Sequence, residues 1–117
     1  MTKVAEATGA ELNWNFDTTH VACPEGKRIK GLDMGTFVAE ADVVIAVPKL
    51  KTHGFMRITG AVKNQFGCVP GIRKGEYHVK MPAAEHFAAM LVDINRYLRP
   101  RLYILDGIAA MEGNGPG

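Results

Sequence analysis

Basic side chains at alternate positions are the residues of this chain best suited to chemistry. Lys49, Lys51 and His53 follow Pro48, which ends an apolar run. In an extended segment alternate side chains lie on one side, so these three residues would face the same way. Two ammonium groups and an imidazole on one side suit an anionic group such as a phosphate or a carboxylate. A solvated basic loop is the alternative that composition leaves open.

A second candidate anion site begins at Thr59. The run from Thr59 to Asn64 is typical of a helix start, where backbone N–H groups and the ammonium of Lys63 could hold an anion. It is not a P-loop, because the pattern Gly-x-x-x-x-Gly-Lys-Ser/Thr is absent from the sequence. We therefore predict that an anionic ligand or cofactor is bound by Lys49, Lys51, Lys63 and Asn64.

Histidines, carboxylates and one cysteine could add catalytic or metal chemistry. His78 stands two residues after Glu76, and in an extended segment the two would share a face as a metal or proton-transfer pair. Cys68 is either a thiolate, acting as a metal ligand or nucleophile among nearby cations, or a small buried hydrophobe. A surface histidine is the alternative for any one of the four histidines. The residues predicted to serve catalysis, through metal binding or proton transfer, are His53, Asp106 and Glu112.

The charge of the chain is concentrated in one segment. The 117 residues carry a formal net charge of +2, but residues 49–80 hold seven Lys and Arg against one acid, Glu76. This segment therefore carries +6 and the remainder −4. The sequence contains no serine, which excludes every serine-nucleophile mechanism. Lys, His, Cys, Asp and Glu are the residue types left for chemistry.

Composition also narrows the class of protein. No apolar run approaches the roughly 18 residues of a transmembrane helix, and the N-terminus lacks the apolar region of a signal peptide. We therefore predict a cytoplasmic protein without a membrane partner. The pI of 8.6 and the thin aromatic content argue against nucleic acid as a partner. Cys23 and Cys68 lie 45 positions apart, which is neither a disulfide framework nor a CxxC metal pair.

The elements that must position these residues form a predicted βαβ unit. Residues 42–47 are an apolar β-branched run typical of a parallel strand buried on both faces, and residues 102–106 read as a second such strand. Between them, residues 83–98 place apolar side chains at helical spacing and end before Pro100. The fold class is therefore α/β, a partial open sheet with at least one parallel, right-handed βαβ unit.

Residues 48–82 form a long basic, Gly-rich insertion between the first strand and this helix. In open α/β sheets ligands bind outside the carboxyl ends of the strands, so the cations after Pro48 should meet Asp106 at one edge. Shorter elements are also predicted. They are strands at Glu11–Phe16, His20–Cys23 and Arg28–Lys30, and helices at Thr36–Ala41 and Thr59–Phe66. We read residues 1–117 as a single domain, a fragment of a longer α/β domain, because a loop follows the second strand directly.

Three motifs give this chain a close resemblance to the uncharacterised family catalogued as domain of unknown function 362. They are the run from Ala41 to Gly54, the runs Thr59–Asn64 with Phe66–Gly71, and the runs Asp106–Ile108 with Met111–Pro116. Members of that family often carry a ferredoxin-type iron–sulfur module, so the resemblance implies an iron–sulfur-associated, redox-linked protein. Two isolated cysteines cannot bind a four-iron cluster, so this chain alone could not hold one.

A shorter resemblance is to the nickel-pincer lactate racemases. Gly60, Lys63, Pro70-Gly71 and His78 are spaced similarly to a segment of those enzymes. The resemblance implies that Lys63 would anchor a cofactor and that His78 would hold the metal. Nickel with imidazole ligation is chemically reasonable. With Cys68, the thiolate candidate named from its cationic surroundings, His78 completes the residues predicted to bind metal.

Two classes of function stay open. In the first, the chain binds an anionic small molecule, cofactor or metal, with a racemase-like enzyme as one form of it. In the second, the basic segment docks an acidic protein partner such as an iron–sulfur module.

Overall fold

The computed structural model describes residues 1–115, in which short strands and helices form a mixed α/β arrangement. In chain order the elements are α1 (Thr2–Thr8), β1 (Thr18–Ala22), β2 (Gly31–Gly35), α2 (Thr36–Ala39), β3 (Ile45–Ala46), β4 (Lys49–His53), β5 (Arg57–Thr59), α3 (Ala61–Asn64), a 3-10 helix (Gln65–Cys68), α4 (Gly71–Lys80), α5 (Ala84–Leu98), β6 (Leu102–Tyr103) and β7 (Asp106–Met111).

The strands pair in three small open sheets. β1 and β2 are antiparallel, and β3 and β6 are parallel with Ile45 opposite Leu102. In the third sheet β4 lies between β5, which is antiparallel to it, and β7, which is parallel. The predicted α/β class, with a partial open sheet and a parallel strand pair, is confirmed. That the chain is one domain and part of a longer one stays a prediction.

Helix α5 is the element that the sequence predicted best. Its apolar positions turn one face inward, where Phe87, Met90 and Ile94 are completely buried. The helix ends at Arg99 in the left-handed conformation, directly before Pro100. The core joins this face to residues of β1 and β2 and to the 3-10 helix. Helix α5 therefore connects the N-terminal hairpin with the basic insertion.

The two strands of the predicted βαβ unit are shorter and more open than expected. Only Ile45–Ala46 and Leu102–Tyr103 pair, instead of residues 42–47 and 102–106. Val43, Ile45 and Val47 are 58%, 56% and 67% exposed, so the prediction of burial on both faces is wrong. Only one face of the pair is covered: Ala46 is 4% exposed, and the hydroxyl of Tyr103 donates a hydrogen bond to Asn95 of α5.

The N-terminal third also departs from the predicted elements. Residues 11–16 form no strand, and α1, which buries no residue, was not predicted. The second hairpin strand lies at Gly31–Gly35 instead of residues 28–30, whose place is taken by a turn. This turn is bound to α5, because the carboxylate of Asp93 accepts hydrogen bonds from the backbone N–H groups of Lys27, Arg28 and Ile29.

The insertion is more ordered than a loop. Its first residues form β4, so Lys49–His53 is extended as the alternate spacing requires. The predicted helix over residues 59–66 appears as α3 followed by the 3-10 helix. Helix α4 was not predicted, because Gly71 and Gly75 lower helix propensity. Its packing compensates for them, since Tyr77 and His78 contact the ring of Phe66 edge-on.

Candidate basic pocket

A concave site of about 300 Å³ lies where the insertion folds back on itself, and we call it the basic pocket. Strands β4 and β5, helix α3, the 3-10 helix and helix α4 all contribute to its walls. Among the residues that the structure describes, none of those lining it is acidic. Its walls are formed by Lys51, His53, Thr59, Lys63, Asn64, Phe66, Gly67, Lys74 and His78.

Secondary structure explains why these side chains converge. Lys51 and His53 alternate along β4 and so lie on one side of the strand. Thr59 is paired with Lys51 across the β4–β5 ladder. Lys74 and His78 are four residues apart on α4, which places them one turn apart on the same face. Strand, hairpin and helix therefore each aim a polar or cationic group into one space.

The cations of the pocket repel one another. Burial lowers the pKa of Lys63, and the charges of Lys51 and Lys74 lower it further. Burial also lowers the pKa of His53 and of His78, and the charge of Lys63 adds to the effect on both. Each shift disfavours the protonated form. An anion placed among these groups would reverse the repulsion.

The imidazole of His53 has a defined tautomer. Its Nδ1 accepts a hydrogen bond from the backbone N–H of Met56 at 3.1 Å. A nitrogen that accepts a hydrogen bond carries no proton, so the proton of the neutral ring lies on Nε2. His53 is therefore a neutral hydrogen-bond donor in the pocket wall.

Thr59 contributes a hydroxyl that the fold does not satisfy. The residue is 7% exposed, and its Oγ1 is buried without a hydrogen-bond partner among the described residues. Leaving a buried hydroxyl unpaired costs about 1 to 3 kcal/mol. Thr59 lines the basic pocket, but its Oγ1 is itself buried, so the side chain would have to turn before a ligand could supply the missing partner.

His78 is held by aromatic rings. It stacks on Phe87, with ring centroids 4.5 Å apart and planes 16° apart, and it meets Phe55 edge-on. The expected extended pair of His78 with Glu76 is wrong, because helix α4 turns the two residues to different sides. Glu76 instead pairs with Arg73 at 3.0 Å and with Lys80 at 3.6 Å.

The predicted site residues divide into two groups. The structure brings five of them into the basic pocket, namely Lys51, His53, Lys63, Asn64 and His78. Lys49 and Asp106 do meet, with Nζ and Oδ2 2.7 Å apart, but they form an exposed ion pair outside the pocket. The hydrogen bond from Lys49 is the largest cause that lowers the pKa of Asp106, and a second comes from the N–H of Ile108. Glu112 is exposed beyond the end of β7.

Cys68 lies outside the basic pocket and lines a neighbouring concavity. Burial raises the pKa of its thiol, and the charge of Lys74 offsets part of the rise. Within residues 1–115, no three His, Cys, Asp or Glu side chains are close enough to hold a metal ion. Metal ligation by Cys68 and His78 stays a prediction. Cys23 is buried in the core, so the two cysteines do not fit an iron–sulfur cluster.

Sequence reasoning missed two polar residues of the pocket, Thr59 and Lys74. Thr59 stands at the start of a recognised motif, but its unsatisfied hydroxyl becomes visible only in the fold. Lys74 precedes His78 by four residues, and this spacing is a signal only if the segment is read as a helix. The aromatic wall provided by Phe66 was also missed.

Every helix within residues 1–115 is too short or too polar to span a lipid bilayer.

Comparison with known proteins identifies a curated relative and a family for this chain. It is 51% identical over 78 residues to the thylakoid-associated protein sll1697 of Synechocystis sp. (strain ATCC 27184 / PCC 6803 / Kazusa). The match covers 66% of this chain and 24% of that protein, so the chain spans about a quarter of the relative's length. No solved structure matches the chain. The family described as Domain of unknown function (DUF362) matches residues 1–117, and the chain therefore belongs to that family.

Proposed function

We propose that this chain binds a small anionic ligand, bearing a phosphate or a carboxylate, in the basic pocket. The observation that carries the proposal is the distribution of ion pairs. Three of the four cations of the insertion outside the pocket pair with carboxylates: Lys49 with Asp106, Lys80 with Glu76, and Arg73 with both Asp33 and Glu76. The fourth, Arg57, is exposed and makes no ion pair among residues 1–115.

The three lysines of the pocket are the contrasting set. Lys51, Lys63 and Lys74 make no ion pair with any carboxylate among residues 1–115. The fold thus leaves uncompensated positive charge where the surface is concave. Ammonium groups form their strongest hydrogen bonds with carboxylates and phosphates. A ligand of that charge would therefore complete the site.

Neutral donors support the same ligand class. His53, whose Nδ1 accepts a hydrogen bond and whose neutral ring therefore donates through Nε2, lines the same space as the side-chain amide of Asn64. A volume of about 300 Å³ suits a small molecule more than a protein segment. In this proposal the lysines supply charge, and the neutral donors orient the ligand.

The proposal also includes association of this chain with a redox-active iron–sulfur module. Because the cysteines of this chain do not fit a cluster, an iron–sulfur contribution would come from another module, and the basic pocket would hold an anionic substrate or cofactor of that protein.

A racemase-like site is the second candidate, favoured by one placement. Lys63 and His78 line the same pocket, as a lysine-tethered cofactor with a histidine-bound nickel would require. His53 adds a second imidazole. Nickel titration followed by elemental analysis tests this candidate, and stoichiometric nickel that His78→Ala removes would support it.

Docking of an acidic partner is the third candidate. Arg57 is exposed at the start of β5 and makes no ion pair among the described residues, and its neighbour Ile58 is also exposed. A salt-dependent complex that Arg57→Ala weakens, in a protein that binds no small anion, would favour this reading.

Calorimetric titration of inorganic phosphate at low ionic strength tests the main proposal. Lys63→Met removes the central charge while keeping an apolar stem, and we expect it to weaken phosphate binding about tenfold or more. Lys49→Met is the matched control, because Lys49 lies outside the pocket and is paired with Asp106. Equal phosphate affinity in Lys63→Met and the wild type would overturn the assignment.

A further inference from the structure

A second concavity, of about 230 Å³, lies beside the basic pocket. Its walls include Phe16, Phe37, Cys68, Val69 and Pro70, and we call it the apolar groove. The groove and the basic pocket share Gly67 and Lys74 in their walls. The two concavities are therefore neighbours along one surface.

The apolar groove suits an uncharged group. Lys74 stands at the border with the basic pocket, and Asp17 is the acidic residue of the groove wall. A carboxylate there disfavours a second anionic group. Phe16 and Phe37 are 83% and 48% exposed, so their rings have apolar surface that a hydrocarbon chain could cover. Covering such surface with a hydrocarbon chain removes it from water and is favourable.

Gly67 stands where the two concavities meet. A Cβ built at this position meets nothing within 4 Å, and the backbone of Gly67 is not in the left-handed region. The fold therefore does not require glycine here for backbone reasons or for lack of room. The missing side chain leaves open the border between the groove and the basic pocket.

We propose that the ligand is an amphipathic anion, whose phosphate or carboxylate head lies in the basic pocket and whose apolar tail crosses Gly67 into the apolar groove. This inference rests on the proposed function, that the basic pocket binds anions. It adds the chemical class of the ligand: a monoalkyl phosphate or an alkyl carboxylate, in place of a hydrophilic anion.

Calorimetry with two probes tests the tail. Inorganic phosphate fills the basic pocket alone, whereas hexyl phosphate, used below its micelle concentration, has the same head and a six-carbon tail. Each fully buried methylene is worth about fourfold in affinity, and the groove is partly open, so we expect hexyl phosphate to bind at least tenfold tighter. Equal affinity for the two probes would overturn the inference and leave the proposed function standing. Binding of neither probe would overturn both.

A bulky side chain at position 67 tests whether the apolar tail crosses the border between the two concavities there. Gly67→Leu should remove the advantage of hexyl phosphate over inorganic phosphate when both affinities are measured in the same variant. Gly75→Leu is the matched control, because an added Cβ there also meets nothing within 4 Å and Gly75 lines neither concavity. A hexyl phosphate advantage that survives in Gly67→Leu would place the tail elsewhere and overturn the inference.

Cysteine labelling gives a second readout in the unsubstituted protein. Cys68 lines the apolar groove and is half-buried, whereas Cys23 is 4% exposed and reports unfolding. Hexyl phosphate should slow alkylation of Cys68, and inorganic phosphate at equal occupancy should not. If Gly67→Leu fails to fold, this comparison decides the matter, and equal protection by the two probes contradicts the inference.

Discussion

Two charged regions of this protein differ in whether the fold supplies partners for their charges. The carboxylate of Asp93 is buried, with the residue 1% exposed, and three backbone N–H groups satisfy it. The lysines of the basic pocket are gathered together and have no carboxylate partner in the part of the chain that the structure describes. A charge that the fold satisfies stabilises the fold, whereas charges that it leaves unpaired in a concavity are available to a ligand.

The pKa values record the same difference. Burial alone raises the pKa of Asp93, but the hydrogen bonds from Lys27, Arg28 and Ile29 outweigh it, so the pKa is lowered and the charged form is favoured. In the basic pocket burial and repulsion act in the same direction and disfavour the charged form of Lys63. Stability and binding should therefore respond separately to substitutions in the two regions.

The largest expected effect is on stability, at Asp93. Asp93→Ala leaves the N–H groups of the 27–29 turn without their acceptor and separates that turn from α5. We expect the free energy of unfolding to fall by about 3 kcal/mol, a large share of the 5 to 15 kcal/mol typical of a small domain. Chemical denaturation of both proteins measures the difference.

Asp42→Ala is the control for this prediction, because Asp42 is exposed and makes no hydrogen bond among the described residues. It should change stability by less than 0.5 kcal/mol or so. The lowered pKa of Asp93 also fixes the pH dependence: its contribution is complete above the unfolded-state pKa of about 3.9 and is lost as pH falls through the folded-state value. A loss below about 1 kcal/mol in Asp93→Ala would contradict the structural role.

The two regions also differ in how far the sequence revealed them. Apolar residues at helical spacing predicted α5, and alternation predicted that Lys51 and His53 share one side of an extended segment. Both signals are local, because side-chain direction follows the period of a single element. The role of Asp93 has no local signal, since its partners lie more than sixty positions earlier.

Long-range packing explains what was missed in the pocket. Helix α4 contains two glycines and is stabilised through Tyr77 and His78, which contact Phe66 and Phe87 from other elements. Without that packing the segment gives no helical signal, and so Lys74 could not be placed beside His78. Local patterns predicted the faces of elements, and packing decided which faces meet.

The second expected effect is on binding, through protonation of His78. Burial and the charge of Lys63 lower the pKa of His78, so without ligand the folded protein favours the neutral ring, and stability falls as pH drops below the unfolded value of about 6.5. A bound anion favours the protonated ring. Sulfate, whose charge is constant in this range, should bind at least threefold tighter at pH 5.5 than at pH 8.

His78→Gln should flatten this pH dependence, and His86→Gln should not, because His86 is exposed and lies outside the basic pocket. His53 is a weaker source of the effect, because protonating Nδ1 would cost its hydrogen bond from Met56. Calorimetry of sulfate binding across the pH range measures the slope. If the pH dependence is the same in His78→Gln, a group other than His78 takes up the proton when sulfate binds.

The smallest expected effect is at the exposed pair of Lys49 and Asp106. This pair is intermediate between the buried, satisfied carboxylate of Asp93 and the unpaired lysines of the basic pocket. Both side chains are about half exposed, at 53% and 43%, so solvent screens their attraction although Nζ and Oδ2 are only 2.7 Å apart. Exposed ion pairs contribute little to stability. Asp106→Asn should therefore lower the midpoint of chemical denaturation only slightly, less than Asp93→Ala does, and leave phosphate binding unchanged. Tighter phosphate binding in Asp106→Asn would show that Lys49, once released, reaches the ligand. Asp106 and the ligand would then compete for the ammonium group of Lys49, and the division into paired and unpaired lysines would not hold.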